Sequence, residues 1–451
     1  LGLLESLAEI IKSRGGKIYA VGGPVRDRLL GISDLKDVDY LVCGVPIDDL
    51  KSILCRFGAI NLVGQFFGVI KFKPFKSEST YDISLPRKEL STGTGHRDFE
   101  VDFDHNIPIE DDLSRRDFTI NAMAREFPAG ALIDPYNGKT DMENRILRMV
   151  SESSFTDDPL RMIRGVQFAA RFDLSIEENT FAAMRQYADL IETVSTERIT
   201  EELNKLLERA EKPSAGFRLM KQTGLLKYIL PELANTVGVS QPGGYHRWDV
   251  FEHSIRTVDA APQYLKIRLA ALFHDIGKPA TKQPVEDGAT FYGHDKLSRE
   301  ITEKALKRLR YSNEIIKQVN TLIDKHMFSE KAGDKGVRRL INRVGTDLIF
   351  DLISLRKADT IAQGMGQDTD SIDDFRRKVE TELSGRSVFG LKDLAVNGTD
   401  IKDKFNLAEG PVIGEVLSFL LDQVLDEPEY NTKEKLLRLT ADFLDKRSLD
   451  I

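Results

Sequence analysis

Between Tyr19 and Val42 the chain reads Tyr-Ala-Val-Gly-Gly-Pro-Val-Arg-Asp-Arg-Leu-Leu-Gly, then Ile-Ser-Asp-Leu-Lys, then Asp-Val-Asp-Tyr-Leu-Val. A short apolar strand runs into Gly22 and Gly23, and a helix is predicted to open at Pro24. Glycine lets a backbone approach phosphate closely, and a helix N-terminus offers free N–H groups. Asp37 and Asp39 follow at i and i+2 of a predicted strand, so both point to one face. Two carboxylates on one face hold divalent metal against phosphate oxygens, which suits transfer of a nucleotide from a triphosphate. Asp-x-Asp alone suits a solvated turn equally well. Asp82, in Tyr-Asp-Ile-Ser-Leu, supplies a third carboxylate if its strand lies adjacent, and is otherwise a solvating edge residue.

Two arginine-carboxylate segments follow. In the first, Asp112, Arg115, Arg116, Asp117 and Asn121 fall within ten residues. Placed at a helix start, the two guanidinium forks suit a triphosphate, with Asn121 near the ribose. An N-cap at Asp117 or Thr119 flanked by surface charge fits the same residues. In the second, Asp157, Asp158, Pro159, Arg161 and Arg164 specify a helix start with Asp158 as N-cap. A carboxylate and an arginine fixed on a rigid helix can present acceptors and donors to a base edge.

A second kind of chemistry begins near residue 246. Of the seven histidines, His246, His253, His274, His294 and His326 fall in this part of the chain, and His274 opens His-Asp-Ile-Gly-Lys. Imidazoles plus carboxylate on helices form a transition-metal donor set, and a metal there polarises phosphate and activates water.

These residues need elements to position them. Apolar spacing predicts a helix over 1–15 and strands at 17–21, 37–43, 59–62, 67–73 and 80–85. Residues 90–105 lack periodicity and read as a mobile loop, and beyond about 115 the spacing is almost wholly helical. The fold class expected is α+β: a head with a small mixed β-sheet, then all-α neck, body and tail. The expected domains are 1–140, 141–240, 241–365 and 366–451, with breaks at Gly243-Gly244 and at 363–370. At 451 residues one core is too few. A hydrophobic content of 41% with 30% charged residues and no apolar run of about 18 describes a globular protein without a membrane span. The net charge of −8 argues against non-specific DNA binding but not against a local basic surface for RNA. No signal peptide is read, and Cys43 and Cys55 lie in apolar contexts, which predicts buried free thiols and a cytoplasmic location.

Taken together, the motifs from residue 17 to 203 resemble the class II tRNA nucleotidyltransferase and bacterial poly(A) polymerase superfamily. The Gly22-Gly23 turn, the Asp37/Asp39 pair, Arg115-Arg116-Asp117 with Asn121, Asp158-Pro-Leu-Arg161, and Thr196-Glu197-Arg198-Ile199 ahead of Glu202 fall in that family's order. The resemblance implies that Asp37 and Asp39 bind catalytic Mg2+. It places Arg115, Arg116 and Asp117 at the incoming nucleotide, with Gly22, Gly23, Arg26, Asp112, Asn121, Asp157 and Arg164 completing the nucleotide-binding set. Asp158 and Arg161 become a protein template selecting CTP or ATP, and Asp157 stands where the family usually has Glu. Residues 87–98, with Arg87 and Glu89, resemble the flexible loop that switches CTP for ATP.

The histidine segment resembles the HD superfamily of phosphohydrolases: His253, His274, Asp275 and Asp359 match its metal ligands, and His294 and His326 match the additional histidines of fuller versions. The implied metal is Ni, Mn, Fe or Mg, as one ion or two. Residues 396–434 look like a tRNA nucleotidyltransferase tail, and Arg338, Arg339, Arg343, Arg376 and Arg377, with Lys335, Arg356, Lys357 and Lys378, are candidates to track tRNA phosphates. The expected activity is addition of CCA, or part of it, to a tRNA 3′ end from CTP and ATP, by a monomer or weak homodimer that binds neither DNA nor membrane. A poly(A) polymerase, or chiefly an HD phosphohydrolase with an RNA-binding N-terminal module, is the alternative.

Overall fold

A computed structural model describes residues 2–31, 39–63, 68–91, 99–242, 244, 246–286, 288–366, 368–385 and 388–449. Asp37 and residues 92–98 lie outside them. The chain forms two compact units, Leu1–Pro231 and Glu232–Ile451.

The first unit is built on a mixed sheet. Its strands are β1 (Lys17–Val21), β2 (Asp39–Cys43), β3 (Gly58–Val63), β4 (Val69–Pro74) and β5 (Tyr81–Ser84). After a separate pair, β6 (Arg87–Ser91) and β7 (Phe99–Phe103), come β8 (Ala124–Glu126) and β9 (Leu132–Ile133). The sheet order is β3-β4-β5-β2-β1-β8-β9. Only β2 and β5 run parallel; the other neighbours are antiparallel. In β4 Ile70 and Phe72 alternate inward, as a half-covered sheet requires. Helix Leu3–Ser13 packs Leu7, Ala8 and Ile11 into the same core as Ile18, Tyr40, Val42 and Phe72.

Two expectations change. Part of the segment expected as an aperiodic loop is a hairpin: β6 and β7 pair in register from Arg87↔Phe103 to Ser91↔Phe99. Phe99, Val101 and Phe103 alternate with Glu100 and Asp102, a strand signal inside the segment read as aperiodic, whereas β6 has no such pattern and its cross-strand pairing defines it. The chain after 115 also returns to the sheet, with β8 on β1 and β9 beyond it. These strands of three and two residues are too short to show a period.

Beyond them the first unit is mainly helical, with helices Leu160–Phe172, Thr196–Arg209 and Pro213–Thr223 and one short parallel pair, Ile146–Leu147 with Ser175–Ile176, among the described residues. Among the described residues the second unit is helical but for one short hairpin, Gln283–Val285 with Gly288–Thr290. A separate apolar cluster from Val388 to Leu436, including Ile401, Val416 and Leu420, forms the core of its last helices. Cys43 is half-buried and Cys55 exposed, which corrects the expectation of two buried thiols. Burial pushes the Cys43 thiol up to about 12. Among the described residues no helix is long and apolar enough to cross a membrane.

Candidate functional site

In the first unit β1 ends at a tight turn. Gly22 has φ +70°, and a Cβ on it would stand 2.5 Å from Arg116 Nη1, so glycine serves both the backbone angle and the close approach. The helix after it, Gly23–Leu29, starts one residue before Pro24. Beside the turn, the parallel pairing of β2 and β5 sets Asp39 directly opposite Asp82. Two carboxylates from strands far apart in sequence thus share a register position.

Around this edge lies a network of buried ion pairs. Asp112 is fully buried and receives Arg115 Nη2 at 2.7 Å and Arg116 Nη2 at 3.2 Å. Burial raises the Asp112 pKa, but the two guanidiniums outweigh it and hold the carboxyl below its ordinary range. Both arginines follow the end of helix Ile109–Ser114, not a helix start as expected. Their placement comes from attraction to Asp112, three and four residues back.

Asp117 is buried and accepts from Phe118 N–H (2.8 Å), Asn121 Nδ2 (3.0 Å) and Arg164 Nε and Nη2 (2.9 and 2.8 Å). Burial again raises its pKa, and Arg164 with these hydrogen bonds brings it below the ordinary value. Arg26 donates to Asn121 Oδ1 at 2.6 Å and is 5% exposed, and Arg164 continues to Glu202 at 3.6 Å. Arg26 is therefore a buried tie to Asn121. Arg115, Arg116 and Arg164 keep 21%, 20% and 32% of their side chains exposed, so each has an edge for an anionic ligand.

Pro159, not Asp158, stands at the N-cap of helix Leu160–Phe172. Asp158 still accepts from Leu160 N–H at 3.1 Å, while its other oxygen takes Arg198 Nη2 at 2.8 Å. Arg161 reaches Ser154 Oγ (3.2 Å) and the Arg115 carbonyl (2.7 Å), which ties this helix to the arginine segment. Asp157 accepts from Ser153 Oγ at 2.8 Å. The partnership of Arg198 with Asp158, 40 residues apart, left no sign in local spacing.

The second unit assembles its own set from five helices. His253 lies in helix Val250–Ala260, His274 and Asp275 follow helix Leu265–Phe273, and His294 opens helix His294–Arg308. His326 closes helix Asn313–Lys325, and Asp359 lies in helix Ile349–Ala362. All six are buried, and their ligand atoms form two groups: His253, His274 and Asp359, and Asp275, His294 and His326. Asp275 faces both groups, with Oδ2 3.2 Å from His274 Nε2 and Oδ1 3.4 Å from His294 Nε2. His253 Nε2 is 3.0 Å from Asp359 Oδ1, and His294 and His326 Nε2 atoms are 3.4 Å apart.

Carbonyl oxygens orient three of the rings: Nδ1 of His274, His294 and His326 lies 2.8, 2.8 and 2.7 Å from the carbonyls of Ala271, Phe291 and Ile323. A carbonyl only accepts, so Nδ1 carries the proton and Nε2 is the atom turned to the centre. Burial pushes His326 down to about 3, keeping that ring neutral; burial at His274 is outweighed by Asp275 and Asp359, which raise it, and burial at Asp275 is outweighed by His274 and Lys278, which hold it ionised. Neutral imidazoles and ionised carboxylates are the forms that bind metal. Gly277 allows the assembly to close: a Cβ there would lie 2.6 Å from the His294 carbonyl and 2.8 Å from Ser298 N.

A cleft of about 540 Å³ opens onto Asp275, His294, His326 and Asp359. Gln241, His246, Lys278 and Arg356 also line it, and spacing alone had not placed them together. Lys278 Nζ is 2.6 Å from Gln241 Oε1 and 2.7 Å from Asp275 Oδ2, and Arg356 is 3.1 Å from Asp359.

The arginines expected to track RNA separate into kinds. Arg338 is buried, donating to the Leu425 carbonyl at 2.7 Å and to Glu382 at 2.9 Å, so it ties helices together; this corrects its assignment to an RNA surface. Arg339, Arg376 and Arg377 pair with Asp426, Glu380 and Asp374. Arg343 is exposed.

Comparison with known proteins places these features in a family. Residues 18–148 match the model of the poly A polymerase head domain. Residues 173–236 match that of the RNA and SrmB-binding site of polymerase A, and 289–440 match tRNA nucleotidyltransferase domain 2. The multifunctional CCA protein of Methylobacillus flagellatus is 38% identical over 317 residues, covering 69% of this chain and 73% of that protein. That of Paraburkholderia phymatum is 37% identical over 310 residues, covering 66% and 71%. In fold, the chain is similar to the Bacillus stearothermophilus CCA-adding enzyme solved with CTP (TM-score 0.72, 24% identity, 99% of this chain and 98% of that one). It is also similar to the Thermotoga maritima CCA-adding enzyme solved with tRNA (TM-score 0.58, 21% identity, 98% and 95%). With relatives this similar over most of their length, and with its head motifs in order, the chain belongs to the class II CCA-adding enzyme and poly(A) polymerase superfamily.

Proposed function

We propose that the chain adds CCA, or part of it, to tRNA 3′ ends from CTP and ATP, without a nucleic-acid template. The observation carrying this reading is the β2–β5 register, which sets Asp39 opposite Asp82 beside the Gly22 turn. When bound by Asp39, Asp82 and Asp37, Mg2+ lowers the barrier to attack of the RNA 3′-hydroxyl on the α-phosphate and steadies the departing pyrophosphate. The chain's own residues do the holding. Arg115 and Arg116, braced by Asp112, present their exposed edges to the triphosphate. Asn121, held by Asp117 and Arg26, would face the ribose of the incoming nucleotide in this reading. Asp158 and Arg161 select the base once Arg198 and Ser154 release them. Residues 1–140 are the head in this reading, 141–240 the neck and body, and 366–451 a tail for tRNA. The test is incubation with tRNA transcripts ending before CCA, after CC, or unrelated in sequence, with each NTP in turn. Ordered growth by CCA supports the reading; long adenosine tails on unrelated RNA indicate a poly(A) polymerase.

The six convergent ligands of the second unit favour an additional activity. We propose that residues 241–365 form an HD-type phosphohydrolase domain. His253, His274 and Asp359 would hold one divalent ion, and Asp275, His294 and His326 a second. The imidazoles of the set favour Ni or Fe over Mg, and its carboxylates also admit Mn. Such ions polarise phosphate and lower the pKa of water. Lys278 and Arg356 steady the phosphate oxygens. Water oxygen joins phosphorus, the ester P–O bond breaks, and the proton goes to the departing alkoxide. Release of phosphate from p-nitrophenyl phosphate and opening of 2′,3′-cyclic AMP by the metal-loaded protein test this; no turnover with any of the four metals overturns it.

A further inference from the structure

A second hollow, of about 290 Å³, adjoins the metal cleft. Asp295 and Met327 line both, so the two share a wall. The second hollow follows helix Asp334–Val344, where Gly336, Leu340 and Arg343 lie four and three residues apart on one face. Over those seven residues it runs about 10 Å at the α-helical rise.

Its chemistry differs from that of the metal cleft. Met327 is 56% exposed, and Phe328 and Leu340 add apolar surface suited to a base. Tyr292, on the metal side, is 85% exposed. Exposed flat or polarisable groups of this kind stack bases without reading their sequence. Arg343 makes no ion pair or hydrogen bond among the described residues, unlike the other four arginines singled out for RNA. Asp295, at the junction, is half-buried and likewise unpaired among the described residues. A carboxylate there accepts a hydrogen bond from a ribose 2′-hydroxyl, the group that separates RNA from DNA.

A strand with its terminal nucleotide in the metal cleft would set the next base on Met327 and the phosphate toward Arg343. We propose that the substrate of the metal centre is the 3′ end of a single-stranded RNA, whose penultimate nucleotide occupies this hollow. The proposal rests on the phosphohydrolase reading of the second unit and adds the substrate class.

The test uses the full chain loaded with Mn2+ or Ni2+. Hydrolysis of 2′,3′-cyclic AMP is compared with that of a trinucleotide ending in the same cyclic phosphate, and with a copy lacking the penultimate 2′-hydroxyl. The trinucleotide should show a kcat/KM at least tenfold above the mononucleotide. Arg343→Ala should reduce that ratio at least fivefold, and Asp295→Ala, which removes the acceptor, should erase the preference for the 2′-hydroxyl. Equal kcat/KM for mononucleotide and trinucleotide overturns the proposal, as does a ratio unchanged in Arg343→Ala. If wild type hydrolyses neither, the phosphohydrolase reading has failed, and fluorescence anisotropy with a labelled trinucleotide 3′-phosphate decides the groove separately. Weaker binding by Arg343→Ala then supports it, and unchanged binding, or an acidic peptide binding as tightly, overturns it.

Discussion

Asp39 and Asp117 show how two carboxylates in one unit serve different ends. Asp39 is exposed at the start of β2, opposite Asp82, where a ligand can reach it. Asp39→Asn should lower nucleotide incorporation at least 100-fold, with the far-ultraviolet circular dichroism unchanged; incorporation at the normal rate would refute its role. Asp117 is buried under four donors, and its loss strands Arg164. Removing one member of a buried pair costs about 3–5 kcal/mol, so Asp117→Asn should lower the urea midpoint sharply. The pH dependence follows in sign. Asp112 and Asp117 both titrate below the ordinary carboxyl range when folded. Their stabilisation is therefore complete above about pH 3.9, the unfolded value, and is lost as pH falls from there toward the folded values. A Tm series between pH 6 and pH 3 should show that decline, and its slope should shrink in Asp117→Asn.

At the scale of elements, glycine settles two positions. At Gly22 the positive φ and the nearness of Arg116 require it, and at Gly277 the reason is purely tertiary. The backbone of helix His294–Arg308 passes so close to Gly277 that any side chain must push it away, and His294 with it. Gly277→Ala should therefore weaken metal binding by roughly 10–100-fold, the range seen when support of a ligand is disturbed. Metal content after dialysis measures this directly, and full retention would show that His294 does not depend on that approach. The helix Leu3–Ser13 and the alternating strand β4 were legible because their residues repeat at 3.6 or 2. Strand β6 and the short strands β8 and β9 were not, because their pairing partners, not their own periods, define them.

For the whole molecule, each of the two compact units carries one of the two candidate sites. If the sets act separately, His274→Ala should abolish phosphate release while CCA addition persists. Chelation followed by Mg2+ should restore addition alone, and later Mn2+ or Ni2+ should restore hydrolysis. Joint loss or joint recovery would show one coupled system. Measured on one preparation, with labelled tRNA and 2′,3′-cyclic AMP as substrates, the two rates separate these outcomes.

What the sequence by itself determined was the inventory and its order. The Gly22 turn, Asp39, the Arg115-Arg116-Asp117 run and the His274-Asp275 pair are local, and short-range chemistry makes such patterns readable in one dimension. The tertiary structure decided which of these groups are spent on one another. It sealed Arg26 against Asn121 and Arg338 against Glu382, and left Arg343 open. It also drew His253 and Asp359, more than a hundred residues apart, to 3.0 Å. A charge in a sequence is only a valence; burial and the nearest opposite charge decide whether it holds the fold or meets a ligand, and both are properties of the folded chain.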